Sequence, residues 1–191
     1  IPDTVGWGVP EEYGKLIARL CADIPEVRSG QVIISAHCHD DQGLATANAM
    51  AAIRAGARQV ECTMNGIGER AGNSALEEIV AGVIARPDYY DGLWTGVNSR
   101  EILKTSRLVA RMSGLEVQRS KAVVGLNAFA HASGIHQDGV LKKRETYEIL
   151  DPPVFGWKRT NMPLTKHSGR AAVARRLKQL GLEVSEAVLN E

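Results

Sequence analysis

The sequence has no long hydrophobic run and no export signal. No apolar stretch approaches the roughly 20 residues that a membrane-spanning helix needs, although 44% of the 191 residues are hydrophobic. The first residues, Ile1 to Thr4, show neither the basic start nor the apolar core of a secretory signal. With 24% charged residues, the composition is that of an ordinary globular protein with one sizeable core.

Strong net charge and paired cysteines are missing too. The 23 basic and 22 acidic residues leave a formal net charge of +1, which creates no overall field to attract nucleic acid or an anionic membrane. The three cysteines, Cys21, Cys38 and Cys62, are odd in number and show no C-x-x-C spacing. This pattern favours reduced thiols, so we predict a cytoplasmic protein without nucleic-acid or membrane partners.

Helix and strand patterns alternate through the first half of the chain. The predicted elements are a helix over 10–23, a buried strand over 31–36, a helix over 44–55, a strand over 59–64 and a helix over 74–85. Ser74 and Glu77 have the spacing of a capping box at the start of the last helix. Strands that alternate with helices through short connections predict a parallel sheet and an α/β fold.

The composition of the sequence changes after Pro87. A stretch rich in aromatic residues and glycine precedes a predicted helix that begins at Asn98. We place a domain boundary there. Residues 1–97 would form one unit, and residues 98–191 a smaller one of glycine-punctuated loops with a helix over about 170–180.

Two histidines stand at the end of the first predicted strand, in the stretch ISAHCHDDQG. Side chains alternate along a strand, so His37 and His39 share one face and converge on one point. Two imidazoles at the carboxyl end of a parallel strand are suited to a divalent metal, because α/β folds place their sites at that end. A polar strand end without a metal is the alternative. We expect Asp40 and Asp41 to orient these ligands and the following helix.

A glycine-rich turn, GIGERAGN, follows the next strand at residues 66–73. Its third glycine falls one position too late for the G-x-G-x-x-G dinucleotide fingerprint. We interpret the glycines as allowing close approach of the backbone to a ligand, towards which Glu69, Arg70 and Asn73 point. A structural ion pair between Glu69 and Arg70 is the alternative.

Further histidines occur downstream. His136, in HASGIHQDG, is either a general acid or base or a surface residue. In KHSGR, Ser168 is suited to cap the last helix, while Arg170 in its first turn is suited to bind a carboxylate or phosphate.

The string HCHDDQGLATANAMAAIRAGARQVECTMNGIGERAGN, with AFAHASGIHQDGVLK and KHSGR, resembles the 2-isopropylmalate synthase family of Claisen-type acyltransferases over nearly the whole chain. Homocitrate and citramalate synthases share much of it. The resemblance implies the C-terminal part of a (β/α)8 TIM barrel followed by a small α/β linker subdomain. The chain would supply the end of the sixth strand and the seventh and eighth strands, as a fragment of a longer protein that stops before a leucine-sensing domain.

The resemblance also implies the site. His37, His39 and Asn73 would hold Mn or Mg, with Zn as the alternative, and the fourth ligand, an Asp of an earlier strand, is absent. Glu69 and His136 would transfer protons. The implied substrates are acetyl-CoA and 3-methyl-2-oxobutanoate, and the implied assembly is a homodimer in which His136 serves the neighbour's site. The implied substrate-binding residues are Thr4, Arg70, Ser168 and Arg170.

Two other readings compete. A lyase of the hydroxymethylglutaryl type would carry a cysteine in the loop after the last strand, and residues 67–73 contain none. The other is a non-catalytic fragment, because three strands cannot close a barrel. We therefore expect the isolated polypeptide to bind a divalent metal weakly and to lack synthase activity.

Overall fold

A computed structural model describes residues 1–131, 139–140, 142–143, 147–158, 173–174, 176–177 and 180–182. The predictions for His136, Ser168 and Arg170, and much of the helix over 170–180, lie outside these residues. None of the described helices has both the length and the apolar character needed to cross a membrane.

The described part of the chain alternates between strands and helices. In order, the elements are β1 (Pro2–Asp3), α1 (Pro10–Asp23), α2 (Pro25–Arg28), β2 (Ser35–Cys38), α3 (Ala45–Ala55), β3 (Gln59–Glu61), a 3-10 turn (Met64–Gly66), α4 (Leu76–Ala85), a 3-10 turn (Ser99–Glu101), α5 (Ile102–Ser113) and a 3-10 turn (Pro152–Phe155). The three strands form a parallel sheet in the order β1-β2-β3. The predicted parallel sheet is therefore confirmed.

Helices α1 and α3 pack on β2 around the first core cluster. Pro10 occupies the first turn of α1, where its missing N–H costs no hydrogen bond, and Gly56 ends α3 with a φ of +122°. The predicted bounds of both helices agree with the structure to within one residue. The buried residues that form this cluster are Tyr13, Ile17, Ile34, Ala36, Cys38, Ala45, Ala52 and Ala57.

A second core cluster joins α4 and α5 to the chain that follows them. Its buried members are Val80, Ala81, Ile102, Leu103, Val123, Val124, Phe129 and Phe155. The indole N–H of Trp157 donates to the Val123 carbonyl at 2.8 Å. The two predicted units, 1–97 and 98–191, thus share apolar contacts, and the boundary between them stays a prediction.

Three local predictions were wrong. β2 begins at Ser35, which pairs with Gln59 of β3, and extends to Cys38. β3 ends at Glu61 and gives way to the 3-10 turn. The capping box does not form: Ser74 Oγ donates to the Ala45 carbonyl at 2.9 Å, and the Glu77 carboxylate accepts the N–H of a distant residue.

Candidate metal and substrate site

His37 and His39 lie side by side at the carboxyl end of β2. Their ring centroids are 4.9 Å apart, with an angle of 65° between the ring planes. Ile34, Ala36 and Cys38 are buried on the opposite face of the strand. The predicted shared face of the two imidazoles is therefore confirmed, and the alternation of the strand is its physical cause.

Hydrogen bonds to Nδ1 leave Nε2 of both histidines available to a metal. His39 Nδ1 lies 3.1 Å from the carbonyl oxygen of Asp3, which can only accept, so Nδ1 carries the hydrogen and Nε2 the lone pair. His37 Nδ1 lies 3.2 Å from the Glu61 carboxylate. The pKa of Glu61 is lowered, chiefly by the hydrogen bond from Ser35 Oγ and also by His37. An ionised Glu61 accepts a hydrogen bond from Nδ1 of His37, so it favours the tautomer with the hydrogen on Nδ1. In that tautomer Nε2 carries the lone pair that binds a metal.

Asn73 lies beside His39, and its amide oxygen is buried without a hydrogen-bond partner. The two residues form an antiparallel bridge, and the Asp40 N–H donates to the Gly72 carbonyl at 2.8 Å. Asn73 Nδ2 donates to the Ile67 carbonyl at 3.3 Å, whereas Oδ1 is buried and has no hydrogen-bond partner. A buried acceptor without a partner is costly, and amide oxygens bind hard divalent cations.

The donors present fit a divalent metal. Two imidazole nitrogens and an amide oxygen form a mixed set that suits Mn, Mg or Zn. Within the described residues, no group of three or more His, Cys, Asp or Glu side chains is arranged to hold a metal. A metal here would therefore depend on the Asn73 amide.

Arg70 connects the ends of the three strands. Its Nε and Nη2 donate to the two carboxylate oxygens of Asp41 at 2.7 and 2.9 Å, and Nη2 also donates to the Thr4 carbonyl at 2.9 Å. This bidentate hydrogen bond lowers the pKa of Asp41. The predicted pairing with Glu69 exists only as a longer contact of 3.5 Å, and the Glu69 side chain is 84% exposed. The structure thus brings Thr4 and Arg70 together. In the structure Arg70 is a bridge between Thr4, which follows β1, and Asp41, which follows β2.

The glycines of the GIGERAGN turn serve the turn's own packing. A Cβ on Gly72, whose φ is +99°, would lie 2.0 Å from the Gly66 carbonyl oxygen. A Cβ on Gly68 would lie 2.3 Å from Asn73 Nδ2. We predicted that the glycines permit approach to a ligand, but in the structure they permit the approach of the turn to itself.

The described residues also include functional candidates that the sequence did not reveal. Glu61 is one of them, because its contact with His37 joins two neighbouring strands. Glu77 is fully buried, burial raises its pKa, and Lys121 Nζ lies 3.7 Å away, while Lys121 also forms a close ion pair with Glu78. Glu78 and Lys121, together with Asn73, line a cavity of about 280 Å³. No local motif indicated these contacts, and the only motif that included one of the residues, the capping box at Glu77, does not form.

Two family models match the chain. Residues 1–109 match the family model described as HMGL-like, and residues 123–191 match the model described as homocitrate synthase post-HMGL domain-like. The chain belongs to the HMGL-like family, whose members are TIM barrels. This confirms the predicted fold class, the C-terminal part of a (β/α)8 barrel followed by a linker subdomain.

The curated relatives narrow the similarity. The chain is 62% identical over 186 residues to the 2-isopropylmalate synthase of Methylacidiphilum infernorum (isolate V4), covering 97% of this chain and 36% of the relative. It is 55% identical over 190 residues to the 2-isopropylmalate synthase of Aquifex aeolicus (strain VF5), covering 100% of this chain and 36% of the relative. The chain therefore spans about a third of the length of these relatives.

Proposed function

We propose that this chain contributes the metal-binding end of a 2-isopropylmalate synthase, an acyltransferase that condenses acetyl-CoA with 3-methyl-2-oxobutanoate and hydrolyses the thioester in leucine biosynthesis. The observation that carries the proposal is the buried, unpaired Oδ1 of Asn73 beside two histidines whose Nε2 atoms are free. The two 2-isopropylmalate synthases that are 62% and 55% identical to this chain support the choice of reaction.

The proposed site binds and orients the 2-oxo acid. His37 Nε2, His39 Nε2 and Asn73 Oδ1 hold the divalent ion, which when bound supplies Lewis-acid stabilisation of negative charge on the keto oxygen. Asp3 and Glu61 keep the two imidazoles in the required tautomer.

The remaining steps are proton transfers and bond formation. A base removes a proton from the methyl group of acetyl-CoA, and the resulting carbanion forms a C–C bond to the keto carbon, whose oxygen then takes up a proton. Water cleaves the thioester and releases the CoA thiol, which makes the overall reaction irreversible. Glu69 and His136 are the proposed proton-transfer residues. Arg70, Thr4, Ser168 and Arg170 are the proposed substrate-binding residues.

Thiol release from acetyl-CoA tests the proposal. The assay compares the 191-residue chain with a chimera in which the chain replaces the matching segment of the Methylacidiphilum infernorum relative, each with added Mg or Mn and a panel of 2-oxo acids. The expected result is release by the chimera that peaks with 3-methyl-2-oxobutanoate and is lost in a His37→Ala, His39→Ala variant. The chain alone should show no release.

Other outcomes decide between the alternatives. A peak with pyruvate or 2-oxoglutarate would keep the chemistry and move the protein to citramalate or homocitrate synthesis. Absence of release from a folded chimera, alongside an active unmodified relative, would refute the proposal and favour a structural role.

The proposed assembly is a cytoplasmic homodimer in which His136 enters the partner's site. Mixing chimeras that carry Glu69→Gln in one subunit and His136→Ala in the other tests this arrangement. Restored thiol release in the mixture, with neither variant active alone, is expected if the sites are shared, and no restoration would contradict it.

A further inference from the structure

A partly buried hydrogen-bond network fixes the 3-10 turn after β3 to helix α5. Asn65, in that turn, has a φ of +64°, a conformation that residues other than glycine seldom adopt. Its side chain donates from Nδ2 to the Ser106 carbonyl at 3.0 Å and accepts from Ser106 Oγ at 2.5 Å. Its backbone N–H donates to Glu77 Oε2 at 2.9 Å. Ser106 is 1% exposed and Glu77 is fully buried, so both partners of the half-buried Asn65 are shielded from water.

The end of this turn and the residue after it bind the backbone N–H and the side-chain NH2 group of Asn73. The carbonyl of Gly66 accepts the Asn73 backbone N–H at 3.0 Å, and the carbonyl of Ile67 accepts the side-chain Nδ2 hydrogen at 3.3 Å. Thr63 Oγ1 donates to that Ile67 carbonyl at 2.6 Å. The orientation of the Asn73 amide, and therefore the place of its unpaired Oδ1, depends on the two residues that directly follow Asn65.

We propose that Ser106 is a positioning residue for the metal site and acts through Asn65 on Asn73. The inference rests on the proposed function, since it assumes that Asn73, His37 and His39 hold a divalent ion. Ser106 belongs to α5, whose side chains also enter the core cluster shared with the chain beyond residue 120. A change in the packing of residues beyond 120 against α5 would therefore alter the position of Asn73 through Ser106 and Asn65.

The effect can be measured as metal affinity, independently of turnover. Mn²⁺ is titrated into the chimera described above, and the free ion is quantified by its EPR signal. Ser106→Ala should weaken Mn²⁺ binding about 3- to 10-fold, less than the 10- to 100-fold typical of groups bonded directly to metal ligands. Ser106→Thr keeps the hydroxyl and should stay within about twofold of the unmodified chimera. Ser113→Ala is the matched control, because Ser113 lies on the same helix at an exposed position, where its Oγ donates to the Ala110 carbonyl at 3.4 Å and accepts the Leu115 N–H at 3.2 Å. It should leave the affinity unchanged.

A second variant separates the side-chain contact from the backbone conformation. Asn65→Gly retains easy access to positive φ but removes both bonds to Ser106, so it should weaken Mn²⁺ binding as much as Ser106→Ala does. Should Ser106→Ala fail to fold, Asn65→Gly decides the question.

Two results would overturn the inference. A folded Ser106→Ala variant with a lowered melting temperature and unchanged Mn²⁺ affinity would make Ser106 structural only, and the proposed function would stand. An unmodified chimera that binds no Mn²⁺ while retaining its fold would remove the metal premise of both proposals.

Discussion

The chain at the end of β2 and the loop that follows β3 carry the proposed metal ligands, but these two regions are built differently. His37 within β2 and His39 directly after it take their positions from strand alternation, and Asp40 Oδ1 accepts the Ala45 N–H at 2.8 Å at the start of α3. After β3, the position of Asn73 depends on a self-packed turn with left-handed residues and on contacts to α5. The first region is a product of local periodicity, whereas the second is a product of tertiary packing.

The largest expected effect falls on the end of β2, where the proposed metal ligands are imidazole nitrogens. His39→Ala in the chimera should reduce Mn²⁺ affinity and thiol release more than about 100-fold, exceeding the loss from removing a group behind a ligand. Gln59→Ala, at an exposed position at the start of β3, is the control and should change neither. Retained affinity in His39→Ala would show that the metal does not use the end of β2.

Stability should distinguish the two loops when a methyl group is added to each. Gly43 and Gly72 both have positive φ, but a Cβ on Gly43 meets no atom within 4 Å, whereas a Cβ on Gly72 overlaps the Gly66 carbonyl. Gly43→Ala should lower the free energy of unfolding by about 1–2 kcal/mol. Gly72→Ala should lower it by at least about 3 kcal/mol, because a steric clash adds to the backbone strain. Urea denaturation monitored by circular dichroism measures both, and equal losses would contradict the difference between the loops.

A smaller effect is expected behind His37. Glu61→Gln replaces the carboxylate that accepts from His37 Nδ1, so Mn²⁺ affinity should fall about tenfold, whereas the backbone carbonyl behind His39 is untouched. Glu12→Gln on the exposed face of α1 is the control. An unchanged affinity in Glu61→Gln would mean that the carboxylate does not set the His37 tautomer.

The smallest effect is the pH dependence of the bridge between the loops. Arg70 lowers the pKa of Asp41 in the folded chain, so its stabilisation is complete above the pKa of the unfolded carboxyl and is lost as the pH falls through the lower, folded value. Arg70→Gln should therefore reduce stability at neutral pH, and the difference from the unmodified chain should shrink below about pH 4. Thermal unfolding from pH 2 to pH 7 measures this, and a difference that stays constant to pH 2 would contradict it.

Sequence patterns predicted the elements whose causes are local. Pro10 starts α1 and Gly56 ends α3 at the expected places, and period-2 alternation placed His37 and His39 on one face. The capping box at Ser74 failed for the opposite reason, because both of its side chains found distant partners.

The sequence by itself determined the parallel α/β order and the shared face of the two histidines, since both follow from the repeat of the backbone along a helix or strand. The resemblance to the family added Asn73 to the predicted metal ligands. Only the tertiary structure decided the tautomer of each imidazole, the unpaired oxygen of Asn73 and the network from Ser106 to Asn65. Those depend on strand register and on contacts between residues about 25 to 40 positions apart, which no local pattern encodes.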